Sequence, residues 1–217
     1  MKTIAVISQK GGSGKTTIAV HMAVCAMRQG LCTAIVDLDP QISAFDWCLA
    51  RDENDHLSAV RASALNLNDL LHEAKSGGAD FVIIDTAPHS DHDAVVAAQG
   101  ADFVLIPCRP ARFDLKAVVD TVRIIELTKK PFAVTINAAP VRGKLATEAF
   151  QLLTQNGLTV TGTVLRQRVA YSHAVIDGRS VHEYEPGGKA ATEIDNLFSD
   201  LKKILQELKH DTEKKTT

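Results

Sequence analysis

A short apolar stretch, Ile4–Ser8, runs directly into Gln9-Lys10-Gly11-Gly12-Ser13-Gly14-Lys15-Thr16-Thr17, and a helical pattern of apolar residues follows. A strand, a glycine-rich loop and a helix in immediate succession build a cradle whose backbone N–H groups close around phosphate oxygens at a helix N-terminus. The glycines at 11, 12 and 14 are expected to supply the positive φ values that turn those N–H groups inward. Lys15 is expected to neutralise the β- and γ-phosphates of a nucleotide, the Thr16 hydroxyl to complete a Mg²⁺ shell, and Thr17 to meet the α-phosphate. The expected nucleotide-binding set is therefore Gly11, Gly12, Ser13, Gly14, Lys15, Thr16 and Thr17.

The rest of the chain fits such a cradle. Short apolar runs at Ile4–Ser8, Thr33–Asp37, Phe81–Asp85, Phe103–Pro107, Phe132–Asn137 and Val160–Val164 read as buried strands. Helical spacing fills the gaps at Thr16–Gln29, Leu67–Lys75, Asp93–Ala98, Leu115–Leu127 and Lys144–Gln155. Strands that are apolar throughout and separated by helices predict an α/β fold: a mostly parallel, twisted sheet with helices on both faces. Right-handed crossovers bring the loops after the strands to one sheet edge, where ligands bind. Ile194, Leu197, Phe198, Leu201, Ile204, Leu205 and Leu208 predict a C-terminal amphipathic helix packed on the sheet. Its other use, as a membrane-surface anchor, is less well served by a stripe without tryptophan. The domain is expected to span 1–208, with a disordered tail at 209–217.

Composition narrows the function classes. A net charge of −2 excludes a global basic excess, so any nucleic-acid contact needs a local patch or one doubled by dimerisation. Cys25, Cys32, Cys48 and Cys108 share no C-x-x-C spacing and read as reduced core residues rather than a zinc or redox pair. Met1-Lys2-Thr3 leads straight into a strand, which does not read as a signal peptide, and no apolar run approaches the ~18 residues of a membrane span. A cytoplasmic location is expected.

The loop departs from the ordinary G-x-x-x-x-G-K-[ST] pattern. Gln9 stands at the position of the first glycine, and an additional lysine, Lys10, precedes the others. This K-G-G-x-G-K-[ST] form resembles the deviant Walker A motif of the ParA/MinD family of P-loop ATPases, and the match runs over roughly residues 1–205. The resemblance implies that Lys10 crosses a dimer to the partner's nucleotide and stabilises charge on the γ-phosphate, as an arginine finger does.

Two strands end in carboxylates. Asp37-Leu38-Asp39-Pro40 places two acids on the same side of a strand end, with Pro40 turning the chain. By resemblance this is switch I, where Asp39 orients or deprotonates the attacking water and Asp37 sits near the water shell of the metal. Phe81-Val82-Ile83-Ile84-Asp85 is similar to a Walker B strand, with Asp85 holding Mg²⁺ through water and residues 86–93 forming switch II. The metal set implied is Thr16, Asp37 and Asp85; the catalytic set is Lys10, Lys15 and Asp39. Asn137 stands where relatives hydrogen-bond adenine.

The loop Pro107–Leu115 and the run Leu165–Tyr171 resemble corresponding segments of small ParA-type partition ATPases. Such a resemblance implies a weak, partner-stimulated ATPase that uses Mg²⁺ and forms an ATP-dependent homodimer on non-specific DNA. Arg142, Lys144, Arg166 and Arg168 are the basic residues placed to contact DNA phosphates. A ParB-like or other adaptor is the implied partner, nucleoid association the implied location, and no membrane partner is implied. A MinD-like membrane-surface ATPase is the alternative. A metabolic or iron–sulfur member of the superfamily is a third reading, weakened because no second ligand follows Cys108.

Overall fold

In the computed structural model the described residues are 1–51 and 56–215, with side chains described to residue 208. Seven strands form one parallel sheet in the order β3-β2-β4-β1-β5-β6-β7. They are β1 (Lys2–Val6), β2 (Thr33–Asp37), β3 (Leu57–Arg61), β4 (Phe81–Asp85), β5 (Phe103–Cys108), β6 (Phe132–Ala139) and β7 (Val160–Arg166). The helices are α1 (Lys15–Arg28), α2 (Ser43–Leu49), α3 (Leu67–Ser76), α4 (Asp91–Gly100), α5 (Arg112–Glu126), α6 (Leu145–Gln155), α7 (Val169–Ala174), α8 (Val181–Tyr184) and α9 (Lys189–Lys215).

The period-two rule of a strand divides the core. Ile4, Val6, Phe81 and Ile83 face one hydrophobic layer with α1 and α9; Ala5, Ile7, Val82 and Ile84 face the other, beneath α3 to α6. Both faces are covered, so β1, β2, β4 and β5 are almost wholly buried and carry no polar alternation. Helix α1 is buried from Ile18 to Ala26, which explains why it shows little amphipathic contrast.

The apolar stripe of α9 lies in this core: Ile194, Leu197, Phe198 and Leu201 are buried, and Phe198 meets Phe81 edge-on at 5.5 Å. The stripe therefore packs on the sheet, with Ile204, Leu205 and Leu208 partly buried at its far end. The backbone of α9 continues as helix through Lys215, so the tail expected from 209 is helical up to that point, in keeping with the helix propensity of its lysines and glutamate. Residues 216 and 217 lie outside the described residues.

Four of these strands and helices were not anticipated from the pattern, for two reasons. Strand β3 is an edge strand with a half-exposed, mixed sequence, and α2, α7 and α8 are helices of 7, 6 and 4 residues, too short for a helical period to show. Strand β6 is irregular: its pairing with β7 shifts register between Ile136 and Ala139, and Ala138 sits at φ 49.

Candidate functional site

The loops after β1, β2 and β4 meet because these strands are neighbours at the centre of the sheet. Asp37 and Asp85 are register partners, each the last residue of its strand, and Val6 is paired with Asp85 on the other side. The Leu38 N–H donates to the Asp85 carbonyl at 2.9 Å, and the Thr86 hydroxyl donates to the Val6 carbonyl at 2.9 Å. Those bonds carry the sheet order into the loops and hold them at fixed spacing.

The phosphate loop has the conformation its glycines permit, with one correction. Gly12 (φ 70) and Gly14 (φ 96) occupy the left-handed region, whereas Gly11 does not. Gly11 instead stands open to solvent, with His89 of the β4–α4 loop 4.0 Å from where a Cβ would be. Gly14 has a second reason to be glycine. A Cβ there would lie 2.1 Å from Asn137 Nδ2, inside any tolerable contact.

The two loop lysines are separated by environment. Lys15, the first residue of α1, is 6% exposed; burial holds its ammonium below the ordinary range, opposed by the charges of Asp85 and Asp39. Lys10 is half-buried beside exposed Gly11 and Gly12, and its ammonium makes no hydrogen bond or ion pair with the described residues. The loop is tied to α5 by the Gln9 N–H, which donates to the Thr121 hydroxyl at 3.1 Å.

Asp85 is fully buried. Its Oδ1 accepts the Thr86 N–H at 3.1 Å, while its Oδ2 has no partner among the described residues. Burial pushes this carboxyl up to about 7, the Thr16 hydroxyl and Lys15 draw it down, and Asp37 pushes it further up. An orphaned, fully buried carboxylate oxygen beside a threonine hydroxyl is a hard-oxygen donor set, which fits an ion such as Mg²⁺.

Asp37 has another occupation. Its Oδ1 accepts the Asp39 N–H at 3.0 Å, and its Oδ2 accepts the Ala44 and Phe45 N–H groups at 2.9 and 3.0 Å. It thereby caps α2, whose own N-cap, Ile42, sits at φ 48 and contributes no side-chain bond. A β-branched residue in that region is strained, and the three bonds to Asp37 hold it there. Burial pushes Asp37 above the usual carboxylate range, offset by those same N–H donors. Asp39 is half-buried near Lys15, and its Oδ1 accepts the Gln41 N–H at 2.9 Å in a tight turn.

Asn137 reaches the loop through the irregularity of β6. The distorted backbone at Asn137–Ala138 swings its amide across to Ser13, and Nδ2 donates to the Ser13 carbonyl at 2.7 Å. Here the amide clamps the phosphate loop. Beside it lies a cleft of about 210 Å³, lined by Gly14, Thr17, Asn137, Arg109, Gln167 and Tyr171 among others. In the sequence Arg109, Gln167 and Tyr171 are unremarkable members of the segments Pro107–Leu115 and Leu165–Tyr171. Nothing local marks them as lining residues, because the ends of two different strands, β5 and β7, bring them together.

The four basic residues divide as well. Arg142 and Lys144 are exposed at the turn before α6. Arg166 is half-buried and donates to the Pro140 carbonyl at 3.0 Å. Arg168 is held by Glu193, with Nε and Nη2 on Oε1 at 2.9 and 2.6 Å. Glu193 Oε2 also accepts the Arg166 N–H and the Tyr171 hydroxyl, so Arg168 braces α9 against the β7–α7 loop.

Residues 4–181 match the model of the CobQ/CobB/MinD/ParA nucleotide-binding domain. The chain belongs to that family. Among its relatives is the maintenance of carboxysome distribution protein A of Gloeobacter kilaueensis, 30% identical over 98% of this chain and 96% of that one. Protein ParA of Rhizobium radiobacter is 26% identical over 96% and 98% of the two chains. The fold of this family member is that of the cell-division ATPase MinD of Pyrococcus furiosus, with a TM-score of 0.79 at 17% identity over 94% of this chain and 99% of that one. MinD of Pyrococcus horikoshii, solved with Mg-ADP, superposes with a TM-score of 0.77 at 17% identity over 94% and 96%.

Proposed function

We propose that this chain is a ParA-like spatial-organisation ATPase: Mg-ATP closes a sandwich dimer, the dimer holds DNA without sequence choice, and a partner protein stimulates slow hydrolysis to release it. The observation that carries this reading is the division of the two lysines. Lys15 is buried under the loop, where it serves the nucleotide bound by its own subunit. Lys10 stands at the open side of the same loop without a side-chain partner among the described residues, as a residue serving a second subunit must.

In this reading Gly12 and Gly14 shape the cradle, Lys15 neutralises the β- and γ-phosphates, and Thr16 and Asp85 hold Mg²⁺, which screens charge between those phosphates. Asp39 positions water once its turn opens toward the γ-phosphate. Asp37 acts on the metal's surroundings from its place as the cap of α2. Association with DNA rests on Arg142 and Lys144, with Arg166 at the margin, and dimerisation doubles the patch. Relatives named for carboxysome distribution and for chromosome partitioning support positioning of a cargo as the task.

The test is retention on DNA in ATP, ADP and no nucleotide at two salt concentrations. Retention in ATP alone that weakens with salt is expected, and Asp39→Ala is expected to prolong it by blocking turnover. Equal retention in all three states would overturn the DNA half of the reading; normal turnover by Asp39→Ala would remove that residue from the chemistry.

A further inference from the structure

On the α9 side of the sheet, away from the nucleotide loop, three different metal-ligating side chains converge from three helices. Cys25 comes from α1, His182 from α8 and Asp195 from α9, and their donor atoms all lie within 4.8 Å of one another. His182 Nε2 is 2.9 Å from Asp195 Oδ1, and Cys25 Sγ is 3.4 Å from the same oxygen. We propose that Cys25, His182 and Asp195 form a binding site for a divalent transition-metal ion of the Zn²⁺ class, separate from the nucleotide site.

Geometry is the first support. A tetrahedral ion with bonds of about 2.0 Å to nitrogen and oxygen and 2.3 Å to sulfur spaces its ligands roughly 3.3 to 3.5 Å apart. The sulfur–oxygen side of the triangle already has that length, and the nitrogen–oxygen side needs to open by a few tenths of an ångström. The donor set is the second. One thiol, one imidazole and one carboxylate match a borderline ion and fit neither Mg²⁺ nor Ca²⁺, which take oxygen ligands.

The surroundings hold these donors in place. Gln29 Nε2 donates to Cys25 Sγ at 3.6 Å, and Lys202 in turn donates to the Gln29 amide oxygen. The Cys25 thiol itself donates to Asp195 Oδ1, so binding of the ion would release that thiol proton and put the metal in its place. His182 is 5% exposed, and its helix is held by the Ser180 N–H, which donates to Glu183 Oε2 at 2.6 Å, and by the Arg51–Glu183 pair. Asp195 has a side chain 56% exposed, which leaves an entry path and room for water as a fourth ligand. Three protein ligands with one open position is the arrangement expected for such an ion. Binding there would pin α8 and α9 to α1, the helix that starts at Lys15.

The test uses the full chain, freed of metal by chelation and without nucleotide. Cobalt(II) is added as a spectroscopic stand-in, followed by zinc as competitor. A thiolate-to-cobalt absorption band reaching one equivalent, displaced by zinc, is expected, together with a rise in Tm. Cys25→Ser should abolish the band. Asp195→Asn, at a half-exposed position that leaves folding intact, should weaken binding by roughly tenfold or more. Cys32→Ser and Asp85→Asn should leave the band unchanged. Absence of the band in the folded wild-type chain, or its survival in Cys25→Ser, would overturn the site and leave a plain Cys-Asp-His hydrogen-bond cluster.

Discussion

Asp37 and Asp85 are register partners at the ends of adjacent strands, yet one carboxylate accepts three backbone N–H groups while the other keeps an oxygen with no partner among the described residues. Identical side chains at equivalent positions thus differ in use. The chain after β2 folds back over Asp37, whereas after β4 the Thr86 N–H reaches Asp85 Oδ1 and leaves Oδ2 unused.

Asp37→Ala should destabilise the protein by about 2 kcal/mol, because it leaves the first N–H groups of α2 unpaired beneath a strained Ile42. Trp47, the sole tryptophan, reports the change. It lies on α2, donates to the Arg179 carbonyl at 3.2 Å and lines a cleft of about 330 Å³ with Thr16 and Thr17. Urea unfolding followed by its fluorescence should show a lower midpoint and a red-shifted native baseline. An unchanged midpoint would mean that the cap contributes nothing.

Gly14→Ala should weaken nucleotide binding by roughly tenfold or more, since it adds backbone strain and drives Asn137 off Ser13. The double variant Gly14→Ala/Asn137→Ala should recover part of the loss by removing the clash while the φ strain stays. Titration with a fluorescent ATP analogue measures both. Full affinity in the single variant would show that the clamp is dispensable.

Arg168→Ala and Arg142→Ala should fail in different ways. Loss of Arg168 leaves Glu193 short of its cation and should cost about 3 kcal/mol in stability. Loss of Arg142 should leave stability alone and lower the salt slope of DNA retention by roughly one. Thermal melts and salt-dependent retention, run on both variants, separate the roles. A stable Arg168→Ala with impaired retention would reverse the assignment.

His21 should make the protein acid-sensitive. It is fully buried, and burial draws its imidazole down to about 3, with His182 adding to the effect. The folded state therefore keeps it neutral while the unfolded chain takes up a proton below 6.5. Stability is complete above 6.5 and falls with decreasing pH between 6.5 and about 3, by about 2 kcal/mol at pH 5. Urea unfolding at pH 7.5 and 5 should show this loss in the wild type and a smaller one in His21→Leu.

Cysteine reactivity should follow burial. Burial pushes the Cys108 thiol up to about 12, and its Sγ donates to the Arg109 carbonyl at 3.2 Å, whereas Cys32 is exposed. Alkylation at pH 8 followed by mass mapping should label Cys32 within minutes and Cys108 only in denaturant. Rapid labelling of Cys108 in the native chain would contradict the packing of β5.

The sequence by itself determined the parallel α/β sheet, the cradle at Gly11–Thr17 and the acidic ends of β2 and β4. These are local facts: apolar runs with nothing polar to expose, glycines between a strand and a helix, a carboxylate closing each run. Tertiary structure alone decided which acid is free and which is a cap, which lysine is buried, and that Arg168 meets Glu193 while Asn137 meets Ser13. It also brought Cys25, His182 and Asp195 together from three separate helices. Such outcomes depend on residues far apart in the chain, whose spacing is set by strand order and a kinked β6. No pattern of neighbours along the sequence carries that information.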